Sequence, residues 1–135
     1  MPAAGGSPTQ ITRQGGIAAI ESKDGFLYYA KFWRSPSSIW RVPVDGGAEV
    51  PVVEGLSYSL NFAVGERGLY FVALNDTSSK ASVDFFDLRT RQRSTLRHLD
   101  KPFWFGVTLS PDERSLVFSV VESAGSNLML VDRFQ

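Results

Sequence analysis

Residues 24–47, DGFLYYAKFWRSPSSIWRVPVDGG, decide how the rest of the chain is read. An Asp-Gly turn opens a short apolar and aromatic run. A polar loop around Ser35-Pro36 interrupts it, a second run follows, and Asp45-Gly46-Gly47 closes the segment. Short runs rich in β-branched and aromatic residues, bounded by Gly, Pro, Asp and Ser, signal strands. The segment therefore predicts two antiparallel strands, and the question is whether the pair stands alone.

It recurs. GFLYYA, GLYFVA and SLVFSV align on Leu27, Leu69 and Leu116, at steps of 42 and 47 residues. A turn precedes each: SKDG at 22–25, VGERG at 64–68 and SPDER at 110–114. Another short run lies before each turn: GIAAI at 16–20, LNFAV at 60–64 and FGVTL at 105–109. A further run follows each polar loop: SIWRVPV at 38–44, VDFFDL at 83–88 and LMLVDRF at 128–134. The first two copies carry a fourth run, EVPVV at 49–53 and RSTLRHL at 93–99. The third has none, but GGSPTQIT at 5–12 parallels GGAEVPVV at 46–53. The chain reads as cut in the turn between a third and a fourth strand. A period near 40–45 residues with four strands per copy is the pattern of a propeller blade.

The expected fold is all-β, three four-stranded antiparallel β-propeller blades. They span about 16–54, 58–100 and 104–135, with strand 9–13 completing the last blade and residues 1–8 read as a linker. Thr9, Gln10, Ile11 and Thr12 form the expected assembly strand.

LSPDERSLVFSVVESAGSNLMLVD resembles the TolB-type, WD40-like propeller repeat of bacteria. That repeat has a Ser-Pro-Asp-Gly turn, a strand ending in Phe, a loop, and a strand ending in Val-Asp. Ser110, Pro111 and Asp112 match, and Glu113 stands where the repeat has Gly. Ser22-Lys23-Asp24-Gly25 matches with Lys in place of Pro, and VGERG departs most. The resemblance covers roughly residues 5 to 135. It implies one of three settings: a periplasmic partner-binding protein, a peptidase propeller, or a propeller behind a winged-helix regulator. The ending SNLMLVDRFQ resembles the C-terminus of the last group. Either bacterial cytoplasm or periplasm fits.

Three blades cannot close a ring, since propellers have 4–8, and each end blade would leave an apolar face open. The expected solution is a homodimer, two chains making six blades with closed symmetry. The other solutions are a fragment of a longer propeller and an open edge.

Composition bounds the chemistry. Fourteen Lys and Arg balance fourteen Asp and Glu, so no global charge draws the chain to nucleic acid or anionic membrane. No cysteine is present, which removes disulfides and thiolate chemistry. No apolar run reaches the length of a membrane span, and MPAAGGSPTQ has neither the basic start nor the apolar stretch of a signal peptide.

No catalytic residue, metal or cofactor is expected. The single histidine, His98, lies on an expected outer strand, and no G-x-S-x-G elbow occurs. Asp84, Asp87, Asp112 and Glu113 suit turns and strand edges, with Asp112 accepting backbone N–H bonds. NDTSSK at 75–80 reads as a solvated loop. Arg89, Arg91, Arg93 and Arg97 form a basic row of the kind that meets phosphate or an acidic partner, but a charged outer edge strand is the better reading, since no aromatic interleaving marks a nucleic-acid site.

The aromatic loops point to binding. KFWRSPS at 31–37, GLSYS at 55–59 and PFWFG at 102–106 fall on one loop face of a propeller. Trp33, Arg34, Tyr58, Phe103 and Trp104 are the expected partner-contacting residues, since aromatics with Arg make binding hot spots. Packing between blades is the competing role for Trp104 and Phe105, and Trp40 reads as core. The function expected is a non-catalytic interaction, scaffold or sensor module for a protein or peptide. The alternatives are a hydrolase or lyase propeller with a channel-centred site, and a purely structural blade set.

Overall fold

The computed structural model of the protein describes residues 5–74 and 81–122. These residues form ten strands and no helix. The first meander is β1 (Ile17–Glu21), β2 (Phe26–Ala30), β3 (Ser37–Pro43) and β4 (Val50–Leu56). The second is β5 (Phe62–Val64), β6 (Gly68–Leu74), β7 (Ala81–Asp87) and β8 (Arg93–Leu99). A hairpin of β9 (Phe103–Leu109) and β10 (Leu116–Val120) follows. All pairings are antiparallel. Residues 123–135, with the expected third strand at 128–134, lie outside the described residues, as does the NDTSSK loop.

Pairing follows the hydrophobic runs. Leu27 pairs with Val42 and Tyr29 with Trp40 in the first meander, and Leu69 pairs with Phe86 and Tyr70 with Phe85 in the second. Tyr70 and Phe85 bring their ring centroids to 4.8 Å, a cross-strand aromatic contact. β5 is shorter than LNFAV suggested. Residues 57–61 turn instead, with the Asn61 N–H donating to the Tyr58 carbonyl at 3.0 Å.

The two meanders join in one eight-stranded sheet through a single pair, Leu56 with Ala73. So thin a seam lets the sheet curl back on itself and bring its two halves face to face. Tyr28, Ile39 and Leu56 of the first half share one core with Leu69, Phe71 and Phe86 of the second. Period-two alternation sends the intervening residues the other way. Val72 and Val83 there meet Val107, Leu116 and Phe118 of the β9–β10 hairpin. The second meander is thus covered on both sides, and β6 and β7 read as nearly continuous apolar runs.

Asp84 is buried in this middle layer. It accepts from Ser82 Oγ at 2.7 Å and from Arg93 Nε at 2.6 Å. Arg93 also donates to the Glu54 carbonyl at 3.3 Å and lies over the Phe71 ring. Arg93 therefore leaves the basic row expected of Arg89, Arg91, Arg93 and Arg97, because the desolvated carboxylate needs a charged partner.

The outer face of the first meander is covered differently. Residues 11–16 cross it, and Gly16 lies so close that an added Cβ would sit 2.8 Å from a ring carbon of Tyr29. The buried Tyr29 hydroxyl donates to Glu49 at 2.5 Å, the Arg13 N–H donates to the same carboxylate at 2.7 Å, and Lys31 pairs with it at 3.4 Å. Trp40, expected in the core, instead lies half-buried here beneath the Lys31 ammonium, with its indole N–H on Ser38. The Thr9–Thr12 segment forms no strand among the described residues, although Ile11 is half-buried.

Three turns line up at one end of the strands. In Ser22–Gly25 and in Ser110–Glu113 the last N–H returns to the Ser carbonyl, at 3.1 and 2.9 Å. In each, the Asp accepts from the N–H two residues on. The last residue is left-handed in both, with φ 80° for Gly25 and φ 56° for Glu113. A side chain at such a φ is strained, and Glu113 uses its own to accept from the Glu66 N–H at 2.7 Å. Lys23 meets the Glu66 carboxylate at 2.6 Å, so the turns connect in a row.

Two outcomes follow from these contacts. Glu113→Gly relieves the left-handed backbone, about 0.5–1 kcal/mol, and loses a bond of similar worth, leaving denaturant stability near that of wild type. Glu113→Ala keeps the strain and loses the bond, so it unfolds earliest of the three; equal stability of the Gly and Ala variants would remove this account. Separately, hydrogen bonds from Tyr29 and from the Arg13 N–H lower the Glu49 pKa from 4.5 to about 2. The stabilisation this gives is complete above about pH 4.5 and is lost as pH falls through about 2. Glu49→Gln should therefore flatten the acid limb of a urea-stability profile in that window, and an unchanged limb would contradict the linkage.

Candidate functional site

Loops alternate ends along a meander. The β2–β3 loop, the β4–β5 connection and the segment before β9 therefore share one end of the strands, opposite the row of turns. The aromatic residues expected there do converge. Phe105 is the hub: its ring lies 5.2 Å from Tyr58, 6.4 Å from Trp33 and 5.4 Å from Trp104. Tyr58 also lies 6.4 Å from Phe103. Trp33, Tyr58 and Trp104 thus meet at Phe105, a residue whose sequence signal is that of packing, and Phe103 joins through Tyr58.

Alternation along β9 sorts them. Phe103 and Phe105 face the second meander, while Trp104 points away with 65% of its surface in solvent. Trp33 is 50% exposed. Phe32 and Leu60, neighbours in sequence of Trp33 and of the Tyr58 turn, are also exposed. Arg34 stands exposed in the same loop and forms no hydrogen bond or ion pair among the described residues. It lies next in sequence to the cluster without being held by it.

Two buried polar side chains shape this end. Ser37 closes the β2–β3 loop by donating to the Phe32 carbonyl at 2.8 Å and accepting from its N–H at 3.2 Å. Phe32 and Trp33 stand exposed in the loop so closed. Asn61 is fully buried. Its amide donates to Ser57 Oγ at 3.1 Å, and its carbonyl oxygen accepts from the Gly106 N–H at 2.9 Å. This one side chain ties β9 to the β4–β5 connection and so holds Phe105 against Tyr58. Asn in a polar turn is a weak sequence signal, and only the contact with Gly106 reveals the role.

A cleft of about 320 Å³ opens beside the cluster, lined by Tyr58, Leu74, Leu99, Lys101, Pro102 and Phe103. At its rim Lys101 pairs with Glu122 at 2.6 Å. The arrangement offers broad apolar contact with charges of both signs, Asp100, Lys101 and Glu122, at its margin, the makings of a recognition surface. Among the described residues, no three His, Asp or Glu side chains gather where they could hold a metal ion. His98 is exposed on β8 opposite Ser82. Asp112 accepts from Ser110 Oγ and from the Arg114 N–H, which keeps its pKa below the usual value. Asp87 likewise accepts from the Thr90 and Arg89 N–H groups.

Asn61→Ala leaves the Gly106 N–H without its partner and should cost about 1–3 kcal/mol in urea unfolding. It should also alter tryptophan emission as β9 loosens. Unchanged stability and emission together would show that Asn61 does not organise the cluster.

No protein-family model matches the chain, and neither does any curated protein or solved structure.

Proposed function

We propose that the chain is a non-catalytic interaction module built from β-propeller blades, and that it contacts a protein or peptide partner through its aromatic loop face. The exposed aromatic residues of the β2–β3 loop carry the reading: Trp33 and Phe32 stand in solvent beside the ring pair of Tyr58 and Phe105. A contiguous exposed apolar patch of this kind marks a surface for interaction with a partner. The scaffold and sensor roles expected of TolB-type repeats are compatible with such a face.

The blade reading draws on three features. Each complete meander has four strands. The middle meander is buried on both faces by its neighbours. The row of turns at Lys23, Glu66 and Glu113 is what units set side by side around one axis would present. The β9–β10 hairpin leaves Trp104 and Val117 exposed on its outer face. In the assembly proposed here a second copy covers that face, giving a six-bladed ring of two chains.

Light scattering on a sizing column tests the ring. A mass near twice 14.9 kDa is expected, and a mass at the single-chain value overturns it. Panning a displayed random-peptide library on the protein tests the binding face. Selected peptides should lose about tenfold or more in affinity on Trp33→Ala. Unaltered affinity would place binding elsewhere, and failure to enrich any peptide counts against an interaction module.

A further inference from the structure

At the opposite end of the strands, the edge of the first meander meets the β7–β8 turn. A cleft of about 220 Å³ lies in this seam. Val50 and Val52 of β4, with Phe86 and Leu88, give it apolar walls, and Arg41 and Arg91 border it. Neither arginine forms an ion pair among the described residues. The carboxylates of the adjoining turns are occupied. Asp24 accepts from the Tyr28 hydroxyl at 2.8 Å and from the Phe26 N–H. Asp87 accepts from the Arg89 and Thr90 N–H groups and lies 3.9 Å from Arg67. Asp45, in the β3–β4 turn, does not line the cleft.

The Arg41 guanidinium and the Arg91 backbone are held in place. Arg41 lies 4.4 Å over the Phe26 ring, on a strand whose register is fixed by Tyr28. Arg91 sits at φ 59°, where its N–H closes the turn onto the Asp87 carbonyl at 2.8 Å. Gly or Asn would adopt that backbone at lower cost, so the arginine is a side chain the turn tolerates and does not need.

The geometry points to a binding site for a carboxylate on a small apolar body, of the kind a peptide presents at its C-terminal residue. The apolar walls take the body, and the two planar cations share the carboxylate, a group guanidinium matches in a bidentate manner. This site lies at the far end of the strands from the aromatic cluster and stands independently of the role given to that cluster.

The test uses the full chain, labelled with nitrogen-15 and titrated with N-acetyl-phenylalanine, its C-terminal amide, and inorganic phosphate. The carboxylate should shift the backbone signals of Arg41, Val50, Val52 and Phe86. The amide and phosphate should bind about tenfold more weakly or not at all. Arg91→Gly and Arg41→Met should each weaken the carboxylate by about tenfold, whereas Arg89→Gln, outside the cleft, should not. Arg91→Gly is the control for folding: it removes a strained residue and should melt at or above the wild-type temperature. Equal binding of the amide would leave only an apolar cleft, and equal binding of phosphate only a diffuse anion site. Either result, or the absence of shifts at the solubility limit of the probe, overturns the assignment.

Discussion

The double-sided burial of β6 and β7 is the constraint on which the rest of the structure depends. Residues of β6 point alternately toward the first meander and toward the β9–β10 hairpin, and both directions are apolar. A strand pair buried on both faces must have a layer on each side. The single Leu56–Ala73 seam supplies the freedom to fold the first layer over, and Asn61 with Gly106 anchors the second. The hydrophobic effect sets the stacking, while a few buried polar contacts set where each layer stops.

Those polar contacts lie at the seams. Asp84 and Arg93 sit where β8 approaches the first meander, and Arg93 reaches the Glu54 carbonyl across the gap. Asp84 is buried while Arg93 remains partly in solvent, so losing the arginine would strand a buried carboxylate. The pair ties the two layers together at one point. Glu113 does the same at the turn row, where a side chain at a left-handed residue reaches the neighbouring turn. The two candidate surfaces follow from this layering. The aromatic cluster forms where the β2–β3 loop, the β4–β5 connection and the start of β9 meet, and the arginine-bordered cleft forms where the outer edge of one layer faces a turn of the next.

Much of this was legible in the chain. Short apolar runs with turn residues between them located every described strand to within a few residues, because strand formation is governed by local pattern and by Gly, Pro and Asp at the turns. The aromatic residues of the β2–β3 loop and of β9 were legible as a group for the same reason: meander topology sends alternate loops to one end. Phe105 was not legible as their hub, since alternation only says that Phe103 and Phe105 face one way and Trp104 the other. Arg93 was read with its arginine neighbours, because nothing along the chain marks Asp84 as its buried partner.

The sequence by itself determined the all-β class, the positions of the ten described strands, though not that residues 9–13 form none, and the turn chemistry. These depend on neighbours in the chain, whose spacing the peptide backbone sets. Tertiary structure alone decided four things: which faces of the strands meet, that Trp40 lies under Lys31 outside the core, that Asn61 holds β9, and that Arg41 and Arg91 border one cleft. Each depends on residues far apart along the chain, brought together when the apolar faces stack. The pairing of a charge or an amide across such a seam leaves no local periodic trace.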